Sequence, residues 1–398
     1  MAILSSVNHQ WMTRPNDERF VSLYDMRDAA QASRDCSVSN VIALNKLRMV
    51  SGEDNNLTVI QERKVKGINS NVLLGTPTNW GFQQLTALAG APASYLRTLP
   101  AELAATCVNH GLKTRASAHK TQTLTHYAGE PRAEVRAFTS PKYGRVWDVE
   151  VIDQLIERFG DGATGDWRVP GKFGHLATVT KNDTTLYWGD RSMFVFLCNE
   201  RNRIVVDNRR NGQSGTMARG FFVWNSEVGR ETVGFSQFLF DFVCSNRIIW
   251  GVQDVRTVKI RHSKTGPERF LDEVVPELLV YSNRSPGIEE ATIRAAQAHS
   301  LGAEEVEALT KRIFGPRMVD KLTVAFVHDE GRHIASLFDW VVAATAYARK
   351  IPYTDIRVSF EQKACKVLDL VKVDRPPMVQ GASLAALPTS ARGEQAAS

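Results

Sequence analysis

The spacing of apolar residues changes along the chain, and the first clear pattern is helical. Between residues 71 and 112 the apolar positions follow a period near 3.6, as in an amphipathic helix. Asn79-Trp80-Gly81 begins this helix and Gly90-Ala91-Pro92 interrupts it, so we expect a second helix beyond the break. The segment is similar to a helix-turn-helix in which Arg97 is the candidate for contact with a base.

The next stretch alternates between apolar and polar positions, which predicts strands. Residues 111–140 indicate a hairpin that turns at Gly129-Glu130-Pro131. The helical period then returns over residues 149–159, where Val151, Leu155 and Phe159 share one face. We therefore expect a short amphipathic helix after the hairpin.

The central third of the chain is rich in β-branched and aromatic residues. Runs of this kind predict strands at 186–207, 216–225 and 255–262. Residues 208–215, between the first two strands, are expected to form a basic, mobile loop. Ser236 lies where it would cap a phenylalanine-rich helix between the second and third strands.

These elements indicate an α+β fold: a central antiparallel β-sheet flanked by helices, with a C-terminal helical region. The predicted helices of that region lie at about 267–282, 288–314 and 334–348. The predicted divisions are an N-terminal segment of irregular structure and short strands (1–70, with a strand at 57–66), an α+β core domain (71–265), the helical C-terminal region (266–372) and a disordered tail (373–398).

Composition places the chain among ordinary globular proteins, with 398 residues, 43% hydrophobic and 23% charged. No run approaches the roughly 18 apolar residues of a membrane span, and the N-terminus lacks a secretory signal pattern. The five cysteines are odd in number, far apart and without a CxxC pair. We expect a cytoplasmic protein that has no membrane contact, and we assign it no metal, cofactor or catalytic residue.

Positive charge is concentrated in one segment. Residues 191–264 contain ten arginines, two lysines and six acidic residues, so this segment carries a net charge of +6, equal to that of the whole chain. Arginine binds phosphate through two parallel hydrogen bonds and stacks on bases. The alternative is a solvated face that keeps the protein soluble.

We predict a sequence-tolerant single-stranded DNA-binding surface that includes this segment. Tyr143 and Trp147 flank Arg145, and rings in such a position stack on bases without sequence preference. Lys259 and Arg261 alternate with apolar residues on the predicted third strand and should point outward. The predicted nucleic-acid-binding residues are Lys142, Tyr143, Arg145, Trp147, Arg201, Arg203, Arg209, Arg210, Arg247, Lys259 and Arg261.

Three segments between about 90 and 262 resemble a phage- and plasmid-encoded family catalogued as a domain of unknown function, number 932. They are GAPASYLRTLPAELAATCVNHGL, PRAEVRAFTSPKYGRVWDVEVIDQL and FFVWNSEVGRETVGFSQFLFDFVCSNRI. In the third segment Arg247 stands where the family pattern often has glycine, which puts the turn there in doubt. The resemblance implies a mobile-element protein and supplies no activity.

A second resemblance concerns layout alone. A basic strand hairpin, a further strand ending in Glu227-Val228-Gly229 and a long helix are similar to the arrangement in phage single-strand annealing recombinases. That likeness implies strand annealing in recombination and a homo-oligomer, since those proteins usually form rings.

Two other functions remain open on the sequence. Glu361-Gln362-Lys363 matches the Glu-x-Lys half of a Mg²⁺-dependent nuclease site, for which Asp339 or Asp355 would supply the second carboxylate. His328, Glu330 and His333 lie close together but lack the HExxH spacing of a zinc site. The third hypothesis is a mobile-element interaction or anti-defence protein whose basic face meets an acidic partner.

Overall fold

The computed structural model describes residues 14–52, 56–65, 68–115, 119–127, 129, 133–170, 178–241, 246–248, 258–351 and 354–371. The predicted disordered tail, 373–398, lies outside the described residues.

The chain alternates between strands and helices up to residue 260 and is helical afterwards. The strands are β1 Arg19–Phe20, β2 Ser37–Ala43, β3 Leu47–Ser51, β4 Leu57–Val65, β5 Ile68–Pro77, β6 Lys120–Tyr127, β7 Ala133–Thr139, β8 Trp167–Arg168, β9 Leu186–Trp188, β10 Met193–Val206, β11 Gly215–Asn225, β12 Val233–Asp241, β13 Asn246–Ile248 and β14 Val258–Ile260. The helices are α1 Leu23–Asp35, α2 Asn79–Ala89, α3 Ala93–Leu96, α4 Ala101–Arg115, α5 Asp148–Phe159, α6 Gly266–Arg269, α7 Val275–Asn283, α8 Gly287–Ala298, α9 Ala303–Phe314, α10 Val319–Glu330, α11 Leu337–Ala348 and α12 Thr354–Cys365.

The α+β class and the C-terminal helical region are confirmed, but the described strands form two sheets. An eight-stranded sheet has the order β1-β9-β10-β11-β12-β13, with β8 beside β10 and β14 beside β12. A six-stranded sheet has the order β2-β6-β7-β5-β4-β3. The pairs are antiparallel except for β5 and β7, which run parallel at Thr76 and Glu134.

Each sheet buries its apolar positions under helices. Helices α1, α5 and α7 cover one face of the eight-stranded sheet, and the predicted stripe of Val151, Leu155 and Phe159 is buried there as expected. Helices α2 and α4 cover the six-stranded sheet, where Phe82 and Leu85 belong to its core. The helices at 79–115 therefore pack on a sheet, and Arg97 turns back to donate from Nη2 to the Asn79 carbonyl at 3.2 Å.

The predicted phenylalanine-rich helix after Ser236 is wrong, because residues 233–241 form strand β12. The strand is buried on both faces: Phe235 packs with α1 and α5, whereas Phe238 and Phe240 pack on the opposite face. A strand with two buried faces shows no alternation of polar residues and has the same pattern as a buried helix. Pairing with β11 on one side and with β13 and β14 on the other stabilises the strand.

The prediction of irregular structure before residue 70 missed helix α1. Ser22 caps this helix by accepting a hydrogen bond from the Asp25 amide at 3.1 Å. Leu23, Met26 and Ala30 recur at helical spacing and are buried. The predicted strand at 57–66 is confirmed as β4.

The hydrophobic cores cross two of the three predicted boundaries, those after residues 70 and 265. Strand β5 runs through residue 70, and β2 to β5 belong to the same sheet as β6 and β7. Beyond residue 265, α7 joins the core of the eight-stranded sheet, and α8 to α12 pack on Ile204, Met217 and Leu239 of that sheet. The C-terminal helices therefore extend the sheet's core.

Candidate nucleic-acid interface

The structure brings together the predicted binding residues from 142–147 and 259–261. The Tyr143 ring stacks on His262 with 4.9 Å between ring centroids. The Gly144 carbonyl oxygen lies 3.3 Å from His262 Nδ1. The backbone of Gly144 also lies close to Ser263, because a Cβ added to Gly144 would be 1.9 Å from the Ser263 carbonyl oxygen. Because these two turns touch, the exposed side chains of Lys142, Lys259 and Arg261 form one group, the turn cations.

A second group lies at the other end of the long strands. Arg201 lies within a register shift in β10, Arg203 follows the shift, and Arg210 lies in the turn between β10 and β11. All three side chains are exposed, and Arg201 keeps 77% side-chain exposure although it pairs with Asp166 at 2.8 Å. Arg201, Arg203 and Arg210 are the hairpin cations.

The strand register places members of the two cation groups on the same face of the eight-stranded sheet. Arg203 pairs with Ala218, Lys259 pairs with Gly234, and Gly234 pairs with Trp224. Ala218 and Trp224 are an even number of residues apart on β11, so Arg203 and Lys259 belong to the same sheet face. Six residues of strand, about 20 Å, and three strand-to-strand steps, about 14 Å, separate the two positions by roughly 25 Å. In the backbone register Arg247 is opposite Phe240, and Phe240 is opposite Ala218. Because Ala218 pairs with Arg203, Arg247 and Arg203 lie in one row across the sheet.

The phenylalanines between these cations are buried. Phe194, Phe196 and Phe222 are 1–5% exposed, and Phe196 stacks on Phe222 at 5.1 Å. Their assignment to the core from strand alternation is confirmed. The cations, rather than these rings, face solvent on this side of the sheet.

Arg145 is buried, which corrects its assignment to phosphate binding. Its Nε donates to the Glu227 carbonyl at 2.8 Å, and the residue is 7% exposed. Its guanidinium lies 5.5 Å from the ring centroids of both Tyr143 and Trp147. The two aromatic residues that were expected to hold a base therefore contact this arginine.

Tyr143 and Trp147 have further partners within the fold. The Tyr143 hydroxyl donates to the Ser226 carbonyl at 2.8 Å, and burial raises its pKa above the usual range. The guanidinium of Arg34 lies 5.1 Å from the Trp147 ring. Base stacking on these half-buried rings would require them to give up these contacts.

Arg209 is also buried, because it forms an ion pair beneath its loop. The side chain is 1% exposed, and Nη2 lies 2.5 Å from Oε1 of Glu330, which is fully buried at the end of α10. Arg332 reaches the same loop by donating to the Asn208 carbonyl at 2.6 Å. The loop expected to be mobile is thus held against α10 and α11.

Other arginines of the basic segment are similarly enclosed. Arg219 is 2% exposed and lies 4.5 Å from the Tyr281 ring centroid, with Glu289 at 3.7 Å. The side chains of Arg191 and Arg230 keep 11% and 9% exposure. The net charge of this segment therefore overstates the positive charge presented to solvent. Lys264, which sequence reasoning left out of the site, is exposed beside the turn cations.

A pair of buried carboxylates lies beneath the turn cations. The Asp148 amide donates to Glu227 Oε1 at 2.8 Å, so the two acidic residues are adjacent. Asp148 accepts hydrogen bonds from Asn225 Nδ2 at 2.7 Å and Trp188 Nε1 at 3.0 Å. Burial, and then the charge of Glu227, raise the pKa of Asp148, and burial also raises the pKa of Glu227. Burial lowers the pKa of His262 to about 4, so this ring is neutral at pH 7.

Replacing Glu227 with glutamine is expected to raise the free energy of unfolding at pH 8, because the buried carboxylate is costly there. A carboxyl group whose pKa is higher in the folded than in the unfolded protein stabilises the folded state when the pH is below its unfolded pKa, which is near 4. This stabilisation is lost as the pH rises through the pKa of the folded protein. The glutamine can still accept the Asp148 amide hydrogen and carries no charge. Urea unfolding from pH 5 to pH 8 measures the effect, with exposed Glu102→Gln as the control. An identical pH dependence in the wild type and Glu227→Gln would contradict the expectation.

The residues proposed for a nuclease do not form such a site. Glu361 lies on helix α12, is fully buried and accepts from Arg357 Nε at 2.7 Å. Lys363 lies 5.4 Å from the Phe314 ring centroid, and Arg332 holds both carboxylate oxygens of Asp339. The side chain of Asp355 lies outside the described residues. Ion pairs engage Glu361 and Asp339, and Lys363 lies over an aromatic ring, so the Glu-x-Lys match has a structural explanation.

The described part of the chain contains neither a cluster of metal ligands nor a membrane-spanning helix. No group of three or more histidine, cysteine, aspartate or glutamate side chains there is arranged to hold a metal ion. No helix there is long and apolar enough to cross a membrane.

Comparison with known proteins assigns neither a family nor a function to this chain. The chain matches no family model, no curated protein and no solved structure. The resemblance to the phage and plasmid family therefore stays a prediction based on the three segments quoted above.

Proposed function

We propose that this protein binds single-stranded DNA without sequence preference, in phage or plasmid recombination in the cytoplasm. The turn cations and the hairpin cations support this function, because they place six exposed positive charges at two ends of one sheet. Such charges bind the phosphate backbone and do not read base edges. Annealing of complementary strands is part of the same proposal and follows from the likeness in layout to the annealing recombinases.

The separation of the two groups favours a single strand over a duplex. A strand that contacts both must follow about 25 Å of a sheet that twists by roughly 20–25° from strand to strand. Duplex DNA is stiff over roughly 150 base pairs and resists such a path. A flexible single strand can follow it and keep phosphates near both groups.

Fluorescence anisotropy with labelled oligonucleotides tests this proposal. At low salt we expect similar affinities for single strands of different composition, and weaker binding of a duplex of equal length. A strong dependence on sequence, or a preference for duplex, would contradict the proposal. If no oligonucleotide binds at low salt, the cations serve a protein partner or solubility.

The proposal includes a homo-oligomer, and strand β2 is its proposed contact. β2 is an edge of the six-stranded sheet, and its sequence from Ser37 to Ala43 contains no charge and no proline. Val38 and Val41 on it are 43% and 54% exposed. Exposed edge strands pair with other strands unless charge, proline or a bulge prevents it. Two neutral copies of β2 can pair antiparallel about a two-fold axis without charge repulsion.

Val41→Lys is expected to convert an oligomer to a monomer in light scattering coupled to size-exclusion chromatography. The two-fold pairing would bring two lysines close to each other across the contact. Leu73→Lys is a matched control, because Leu73 is also 54% exposed but lies on the inner strand β5. A monomeric wild type, or equal masses for the two variants, would exclude β2 as the contact.

A further inference from the structure

Three arginines converge where the turn between β9 and β10 meets the loop after β11. Arg14 Nη2 donates to both the carbonyl and the hydroxyl of Ser192 at 3.2 Å. Ser226 Oγ donates to the Arg191 carbonyl at 2.6 Å and accepts from the Arg230 amide at 3.1 Å. Arg14, Arg191 and Arg230 thus surround two neighbouring serines.

A fourth arginine approaches from the helices of the other sheet. Arg97 is bound to Asn79 at the start of α2, and the adjacent Trp80 donates from Nε1 to the Val228 carbonyl at 3.0 Å. Val228 belongs to the same loop as Ser226 and Arg230. Burial, and then the charge of Arg191, lower the pKa of Arg97, as expected when two guanidinium groups are close. These four residues are the arginine cluster.

The arginine cluster contains buried donors that lack a hydrogen-bond acceptor. Nε and Nη1 of both Arg14 and Arg191, and Nε of Arg97, are buried without an acceptor among the described residues. Arg14 is 3% exposed, and the Arg191 side chain is 11% exposed. Buried charged donors are costly when unsatisfied, so a cluster of them indicates a missing acceptor.

The nearby carboxylates do not supply that acceptor. Asp190 Oδ1 lies 3.8 Å from Arg191 Nε, a distance beyond a hydrogen bond. Glu18 lies 3.3 Å from Arg14 Nη1, and burial raises its pKa. Arg14, Arg97 and Arg191 outnumber the two carboxylates Glu18 and Asp190, so these five groups carry a net positive charge.

We propose that the arginine cluster binds a phosphate-class oxyanion at the junction of the two sheets. Guanidinium groups bind phosphate through paired N–H donors, which is the geometry that the unsatisfied Nε and Nη1 atoms provide. Arg97 is half-buried and marks the side from which the anion enters. The site uses none of the turn or hairpin cations, so free phosphate can bind it whether or not the protein binds DNA.

Isothermal titration with inorganic phosphate, against chloride at matched ionic strength, tests the site directly. We expect phosphate to bind the wild type, and Arg97→Ala and Arg191→Ala each to weaken its binding by about tenfold or more. Arg294→Ala is the control, because the Arg294 side chain on α8 is 80% exposed and should leave phosphate binding unchanged. If Arg191→Ala fails to fold, the half-buried Arg97→Ala decides the outcome.

A second binding experiment, with oligonucleotides, identifies the source of the phosphate. Preference for an oligonucleotide with a 5′-phosphate over one with a 5′-hydroxyl, lost in Arg97→Ala, assigns the site to a strand end. Equal affinity for both, together with phosphate binding, assigns it to free phosphate. The proposal is overturned if the wild type does not bind phosphate, or if both variants bind it as tightly as the wild type, whatever their affinity for DNA.

Discussion

Replacement of Arg209 with alanine is expected to lower the free energy of unfolding by about 3–5 kcal/mol. Its partner Glu330 is fully buried, and the two side chains approach to 2.5 Å. Without the guanidinium the carboxylate keeps its burial and loses its counter-charge, which is among the most destabilising changes in a protein interior. Urea unfolding at pH 7 measures the loss.

Arg210 provides a control at the next position. Its side chain is exposed, so Arg210→Ala should change the free energy of unfolding by no more than about 0.5 kcal/mol. Equal stability of the two variants would show that Arg209 does not form the buried pair. The sequence Arg209-Arg210 thus contains one structural and one surface arginine.

Removal of either cation group is expected to weaken single-strand binding by about 3- to 100-fold, if each exposed charge contributes about 0.2–1 kcal/mol. One triple variant carries Lys142→Ala, Lys259→Ala and Arg261→Ala, and the other carries Arg201→Ala, Arg203→Ala and Arg210→Ala. Both remove three exposed side chains, so the fold should persist. Anisotropy at one fixed salt concentration compares the two with the wild type.

The length of the oligonucleotide distinguishes one contact surface from two. The groups are about 25 Å apart, which corresponds to roughly seven stacked nucleotides at 3.4 Å each. A longer strand should lose affinity in both triple variants, whereas a strand of three or four nucleotides can contact one group at a time. If one triple variant binds long strands as tightly as the wild type, that group lies outside the interface.

Much of the fold was predictable because local patterns determine it. Helix α5 and strands β10 and β11 carry clear periods, and they form as expected. Strand β12 was not predictable, because burial of both its faces removes the alternation that identifies a strand. The division into two sheets depends on pairing between distant segments, such as β5 with β7, and no local period records it.

The candidate site was predictable in composition but not in exposure. The sequence identifies the basic segment, and the exposed Arg203 and Lys259 lie within it. Sequence gives no sign that Arg209 would be buried, because Glu330 is distant in the chain. The same is true of Arg145, whose contacts with Glu227 and Ser39 come from other elements. Charge counting therefore finds the segment, and tertiary packing decides which charges reach solvent.

The salt dependence of single-strand binding by the wild type tests the central claim most directly. Six exposed cations that each replace a counterion predict a slope of about −4 in a plot of log affinity against log salt concentration. A slope near this value, reduced in magnitude by about 2 in each triple variant, is the predicted result. A slope near zero, or no binding at low salt, would contradict the account.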